Sequence, residues 1–210
     1  MKKVAIIAVC VLGCIFSGKA QDKGKIEFGL NTGLNLSNVT SGYNSTDSSI
    51  SFNVGASADY YFSNRWSIKA ILIYDRKGWD NDFVNVTNEN GVPVYSYETN
   101  INVDYLTVPV LANWHFGSKR NWYLNFGGYA GFLIDAKDTE LKQDLKDSFE
   151  TTDFGLALGL GVKIPVSDKL KLFLEYQEQA GLTEVFSSNN NGSTIRNSRS
   201  SLNIGVNFLL

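Results

Sequence analysis

Hydrophobic and polar positions alternate along this chain in eight segments of roughly ten residues each. An alternation with a period of two places successive side chains on opposite faces of a β-strand. The segment DFGLALGLGVKI (residues 153–164) shows it most clearly, since every even position is apolar and the odd positions are aspartate, glycine, alanine and lysine. The segments cover residues 26–37, 50–62, 66–75, 101–116, 122–134, 153–164, 170–177 and 202–210. The pattern predicts an all-β protein of eight strands.

The composition of the polar face separates two kinds of all-β protein. A soluble β-sandwich or lipocalin-like barrel also alternates, but its polar face points to water and carries many charges. Here the polar face is mostly glycine, asparagine and serine with sparse charges, whereas the other face is rich in leucine and aromatic residues. The alternation therefore favours an eight-stranded antiparallel up-and-down transmembrane β-barrel, with the apolar face against lipid.

The fourth segment changes phase along its length. Its first apolar residues, such as Ile101 and Tyr105, occupy odd positions, whereas those from Leu106 onward occupy even positions. A β-bulge near Pro109 would account for the change, because proline cannot donate a hydrogen bond to the ladder.

The connections between the segments alternate in length. The short links are residues 63–65, 117–121 and 166–169, and the long ones are residues 38–49, 79–100, 135–150 and 182–200. Transmembrane barrels have short periplasmic turns and long extracellular loops, so we expect both termini in the periplasm. Four aromatic residues beside the short links, Trp66, Trp114, Phe116 and Trp122, are expected to form an aromatic girdle at the inner interface.

The first twenty residues have the pattern of a cleavable signal peptide. Lys2 and Lys3 precede an apolar run that is too short to span a bilayer, and Gly18-Lys19-Ala20 forms a small-residue cleavage site. The alternative is cleavage before Cys14, with lipidation of that cysteine. We predict a signal peptide over residues 1–20 and one barrel domain over residues 21–210.

Cysteine content and charge exclude several classes of protein. Both cysteines, Cys10 and Cys14, lie in the predicted leader, so the mature chain has no disulfide framework or thiolate metal site. The formal net charge is −2 and becomes more negative once the leader lysines are removed. This balance does not indicate nucleic-acid binding.

Two segments resemble a known family. The segment VDYLTVPVLANWHF (residues 103–116), together with residues 153–164, is similar to the PorT-like outer-membrane β-barrel family. The resemblance implies a bacterial outer-membrane location, no catalytic residues and, from the family's best-known member, a rival role as an accessory of a secretion or assembly machine. The tail over residues 203–210 resembles the signal that the barrel-assembly machinery reads on a terminal strand, which implies that machinery as a partner during biogenesis.

The sequence offers little that indicates catalysis. The sole histidine, His115, lies beside a short link, and no nucleophile elbow, metal-spaced cluster or phosphate loop is present. We expect no enzymatic activity, no cofactor and no metal. An enzyme acting on outer-leaflet lipid is the weakest of the alternatives.

Charged residues on the polar face are candidates for a lumen site. They are Glu27, Asp59, Lys69, Asp75, Lys163, Lys171 and Glu175. Since an eight-stranded barrel is just wide enough for its own side chains, we expect them to form ion pairs that plug the lumen. The alternative is that they line a narrow channel.

The second long connection is unusually apolar and aromatic for a loop. Trp79, Phe83 and Tyr95 are candidates for a surface that binds an extracellular protein or glycan. The alternative is a strand extension, a hairpin turning at Glu89-Asn90-Gly91. In the third long connection, residues 138–149 are expected to form one short helix. The sequence thus predicts a non-enzymatic outer-membrane barrel with a structural or surface-interaction role.

A closed barrel resists detergent until it is heated. We therefore expect the protein from washed outer membranes to change its electrophoretic mobility when the sample is boiled. A soluble protein with the same mobility in boiled and unboiled samples would contradict the barrel and favour a periplasmic sandwich.

Overall fold

Eight antiparallel strands close into a barrel in the computed structural model, which describes residues 23–40, 46–88, 90, 92–188 and 194–209. Each strand pairs with its neighbours in the sequence, and β1 pairs with β8. The strands are β1 (Ile26–Val39), β2 (Asp47–Tyr61), β3 (Trp66–Thr87), β4 (Pro93–Phe116), β5 (Trp122–Asp138), β6 (Thr152–Pro165), β7 (Leu170–Gly181) and β8 (Asn197–Leu209). The predicted fold class is confirmed. No helix in these residues is long and apolar enough to cross a membrane.

The outer wall of the barrel carries an apolar belt. Leu34 is 66% exposed and Ile204 57%, so large apolar side chains point away from the barrel. Each strand contributes to the belt, for example Leu30, Leu34, Phe52, Val54, Ile68, Leu72, Leu106, Val110, Phe126, Phe132, Leu156, Leu158, Leu172, Leu174, Leu202 and Ile204. Exposed apolar surface this extensive is unfavourable in water and is what a hydrocarbon environment requires.

The belt has a defined height. At the short-turn end Trp66 is the cross-strand partner of Trp114, and its ring meets Phe126 edge-on with centroids 6.3 Å apart. Ten residues further along β3, Arg76 donates from Nε to Asp104 Oδ1 at 2.7 Å on the outer wall. With a rise of about 3.3 Å per residue and a tilt of about 40°, these two levels are about 25 Å apart, which is the height of the apolar band of a membrane barrel.

Strand β4 keeps one phase along its membrane-spanning part, and the expected bulge near Pro109 is wrong. Odd positions face the interior from Ile101, through Tyr105, to His115. Pro109 pairs with Tyr129 without a break in register, and the shift between β4 and β5 lies at Asp104/Tyr105. Near the long connections the barrel interior is itself apolar, so the inward odd positions Ile101, Val103 and Tyr105 carry apolar side chains. These residues produce the apparent change of phase in the sequence.

The connections alternate in length as the sequence predicts, with one difference. Most of the second long connection, residues 79–100, is strand, because β3 continues to Thr87 and β4 begins at Pro93. The two strands pair as a hairpin over residues 82–99, so the predicted strand extension is confirmed. Glu89 and Gly91 of its expected turn lie outside the described residues, as do the predicted leader and residues 41–45 and 189–193 of two other connections.

The helix expected over residues 138–149 does not form. Only Lys146–Ser148 is helical, as one 3-10 turn. The Asp138 carboxylate accepts hydrogen bonds from the backbone N–H groups of Leu141 at 2.7 Å and Gln143 at 2.6 Å. Burial by itself raises the pKa of Asp138, but these donors hold it below its ordinary value. The same bonds compete with a helical ladder, which explains the turn.

Substitution in the belt tests its contact with lipid. Leu158→Arg places a cation near the middle of β6 and is expected to lower the free energy of unfolding by about 2–4 kcal/mol. Ile164→Arg, at the short-turn end of the same strand, is the matched control and is expected to cost about 0–1 kcal/mol. Guanidinium unfolding of protein refolded into lipid vesicles measures both values, and equal losses would contradict a membrane-embedded belt.

Candidate functional site in the barrel interior

The interior near the short turns is organised around one lysine. Lys163 Nζ lies 2.7 Å from Glu27 Oε2 and 3.0 Å from Asp59 Oδ2, and it donates to the Tyr61 hydroxyl at 2.5 Å. Lys171 also pairs with Glu27. Lys163 and Glu27 are each 1% exposed. This cluster joins β1, β2, β6 and β7 across the barrel, so the charges replace water as one another's partners.

The next level towards the long connections is also occupied by ion pairs. Lys69 Nζ lies 3.2 Å from Glu175 Oε2, which accepts a second bond from Asn125 at 2.8 Å. Above it Arg199 donates from Nη1 to Asp75 Oδ1 at 2.8 Å and from Nη2 to Gln177 Oε1 at 2.6 Å. The interior is therefore bridged at successive heights.

A further ion pair lies below the long connections. Lys77 Nζ is 2.9 Å from Asp153 Oδ2 and 4.7 Å from the centre of the Tyr129 ring. Asn197 donates to the same carboxylate at 3.0 Å. In the described interior, five cations thus meet five carboxylates: Lys163 with Glu27 and Asp59, Lys171 with Glu27, Lys69 with Glu175, Arg199 with Asp75, and Lys77 with Asp153.

An apolar cluster closes the mouth of the barrel at the long-connection end. Trp79 is 1% exposed, and its ring centre lies 6.0 Å from that of Phe149 and 5.9 Å from that of Phe186. The cluster consists of Val39, Trp79, Ile101, Val103, Tyr105, Ala136, Phe149, Val185 and Ile195, with Phe186 packed against it. We call it the mouth cluster. It covers the polar interior with side chains from strands and from two long connections.

Little space remains between these layers. A cavity of about 10 Å³ lies beside Asn53, Lys69 and Arg199. That volume is close to the smallest that holds one water molecule. In the described interior, ion pairs and the mouth cluster thus cross the barrel at successive heights.

His115 belongs to the packed interior. It is fully buried, and its Nε2 lies 3.0 Å from the Ser67 hydroxyl. Its ring centre lies 5.0 Å from that of Tyr61 and 6.0 Å from that of Tyr123. The environment is that of a packing histidine, and no group of three or more potential metal ligands occurs in the described part of the chain.

The structure places all seven predicted lumen charges inside the barrel, each at most 9% exposed. Sequence reasoning missed three further members of the network, Lys77, Asp153 and Arg199. Lys77 and Arg199 lie where strands continue beyond the predicted segments, and extending the odd-position phase of β3 and β8 would have found them. Asp153 was on the predicted polar face but was not selected as a candidate.

The predicted loop surface is only partly exposed. Trp79 is wrong as a surface residue, because its side chain points inward and its Nε1 donates to Asp82 Oδ2 at 2.7 Å. Phe83 and Tyr95 are 55% and 52% exposed on the β3–β4 hairpin. Of the three predicted surface residues, Trp79 thus belongs to the mouth cluster, and Phe83 and Tyr95 belong to the projecting hairpin.

The chain is similar to known outer-membrane β-barrel proteins in sequence family and in fold. Residues 19–187 match the family described as outer membrane protein beta-barrel domain. The crystal structure of Neisserial surface protein A (NspA) is 15% identical, with 87% of this chain and 96% of that chain covered and a TM-score of 0.54. The outer membrane protein OprG from Pseudomonas aeruginosa is 12% identical, with 91% and 99% covered and a TM-score of 0.55. At these identities the likeness concerns the fold. No curated protein sequence matches the chain.

The Lys163 cluster can be tested by removing its cation. Lys163→Met leaves two buried carboxylates with Lys171 as the remaining nearby cation, and we expect the free energy of unfolding to fall by about 3–5 kcal/mol. Adding Asp59→Asn should restore most of that loss, because Glu27 and Lys171 then remain as one pair and no uncompensated charge is left.

Guanidinium unfolding in detergent micelles, followed by tryptophan fluorescence, measures these variants. Lys137→Met is the matched control, since Lys137 pairs with Asp135 on the exposed outer wall, and its stability should equal that of the unsubstituted protein. Equal stability of Lys163→Met and Lys137→Met would show that the interior pairs are not needed for folding.

Proposed function

The chain belongs to the outer membrane protein beta-barrel domain family, and from that premise we propose that it is a non-enzymatic, closed barrel that acts through its long connections. The family and the fold place it in the bacterial outer membrane, with its apolar belt in contact with lipid. The proposal concerns the role of the barrel there: its interior is a structural plug, and its long-connection end is the surface that meets partners.

The packed interior is the observation that carries the proposal. A permeating ion would have to separate pairs such as Lys163–Glu27 and then pass Trp79 and Phe149 in the mouth cluster. Opening such a path costs the attraction between buried paired charges as well as the loss of apolar contacts. This argues against the narrow channel, which is the main alternative.

The surface role is supported by the shape of the long-connection end. The hairpin of β3 and β4 continues past the last pairs with its neighbours, Asp47↔Asp80 on one side and Ile101↔Asp138 on the other. Its exposed aromatic residues, Phe83 and Tyr95, have no place in the apolar belt. We propose that this end is extracellular and that both termini are periplasmic, as the short turns indicate.

Finer assignments rest on the sequence motifs. We propose cleavage after Ala20 and recognition of β8 by the barrel-assembly machinery, supported by Asn203, Gly205 and Phe208 of the terminal motif; Leu210 lies outside the described residues. Residues 103–116 support a place in the PorT-like branch. For that branch the role as an accessory of a secretion or assembly machine predicts a stable envelope complex on affinity purification.

Planar bilayer recording tests the closed interior. The purified protein is expected to insert without unitary currents, because ion pairs and the mouth cluster cross its interior. A large porin is the positive control for insertion, and a heat-dependent mobility shift of the same sample shows that the barrel is folded. Discrete conductance steps from the folded protein would overturn the closed-barrel proposal and support the channel.

A further inference from the structure

We propose that the outer edge of the β3–β4 hairpin, along residues 95–98 of β4, binds a basic, extended segment of a partner protein by β-strand addition. The inference rests on the proposed surface role of the long-connection end and names the chemistry of the partner. Four features of the described residues support it: an open strand edge, a connection that turns away from it, a one-sided charge, and exposed side chains that suit a paired strand.

The edge of β4 is open where its neighbour ends. The last register pair between β4 and β5 is Ile101↔Asp138, and one further backbone bond runs from Thr139 N to Asn100 O at 2.9 Å. Backbone groups of a strand point alternately to its two sides. Since Asn100 points towards β5 and the register with β3 is regular from Tyr95 to Thr99, the N–H and C=O groups of Ser96 and Glu98 point the same way, and no strand among the described residues pairs with them.

The connection after β5 turns away from this edge. The Asp138 carboxylate holds the turn by accepting bonds from Leu141 N and Gln143 N, and Asp144 then pairs back with Lys137. The position that a continued β5 would fill beside β4 is therefore left open. An unpaired edge of this kind is a template for another strand.

The charge of the hairpin selects the partner. Between Lys77 and Lys119 the chain has no lysine or arginine, while the hairpin carries Asp80, Asp82, Glu89 and Glu98. The neighbouring connection, residues 139–151, adds four acidic residues against two lysines. A second copy of this hairpin would bring like charges together, whereas a lysine- or arginine-bearing strand would be attracted.

The exposed side chains complete the site. Tyr95 and Tyr97 lie on one face with ring centres 6.3 Å apart, opposite Val86 and Val84 of β3. Glu98 is exposed on the other face. An added strand would thus meet aromatic and branched residues on one side and a carboxylate on the other, which suits alternating apolar and basic residues.

Fluorescence anisotropy with the folded barrel in detergent micelles tests the proposal. The probe is a fluorescein-labelled peptide of four Lys-Val repeats, compared with a Glu-Val peptide and with a Lys-Val peptide on an N-methylated backbone. We expect only the first peptide to bind, because binding needs both the positive charge and backbone hydrogen bonds. Equal binding of the N-methylated peptide would reduce the interaction to charge alone and overturn strand addition.

Matched substitutions locate the site. Glu98→Lys is expected to raise the Kd about tenfold, whereas Asp168→Lys, the same reversal of charge on the exposed short turn between β6 and β7 at the other end of the barrel, should leave it unchanged. Ser96→Pro removes an outward N–H of β4 and should abolish binding, while Asn85→Pro, which alters the opposite edge, should not. Loss of binding in Asn85→Pro alone, or self-association of the barrel in place of peptide binding, would overturn the assignment.

The two proposals fail separately. If the Lys-Val peptide does not bind the unsubstituted barrel and the bilayer recordings show no conductance, the strand-addition site is overturned and the closed barrel stands. If the bilayer conducts, the closed barrel is overturned whatever the peptide does. A heat-dependent mobility shift checks the fold of each variant, and Glu98→Lys leaves the backbone unchanged should Ser96→Pro fail to fold.

Discussion

A backbone that crosses a bilayer must hydrogen-bond within itself, because hydrocarbon offers its N–H and C=O groups no partner. Strands meet that requirement only when the sheet closes, and here the pairing of β1 with β8 removes the last edge. Eight strands fix a narrow cylinder, so the inward side chains must be small or must pair with one another. The rest of the molecule follows from this closure.

Closure also explains why the interior can hold so much charge. Lipid excludes ions from the outer wall, and the narrow lumen has little room for water. A buried cation is therefore tolerated only where carboxylates from other strands reach it, as Glu27 and Asp59 reach Lys163. Glu27 and Lys163 are 136 residues apart in the chain, so their pair exists only in the closed barrel.

Above the apolar belt the requirement for closure is lifted. Beyond Asp80 and Ile101 the β3–β4 hairpin has no strand neighbour in the described residues, and water can satisfy its outward backbone groups. The same geometry that would be prohibitive in the membrane becomes a place for a partner. One sheet thus provides the anchor in its lower part and an interaction edge in its upper part.

The sequence by itself determined the strand count, the antiparallel topology, the outward apolar face and the seven lumen charges, because alternation is a local property of each strand. It left two alternatives for residues 80–98, a binding loop and a strand hairpin, because apolar and polar residues do not alternate strictly there. Only the tertiary structure decided that Trp79 turns inward to the mouth cluster and that Ile101 and Tyr105 are interior residues. It also paired Lys77 with Asp153 and Arg199 with Asp75, because these contacts depend on the register and stagger of strands far apart in the chain.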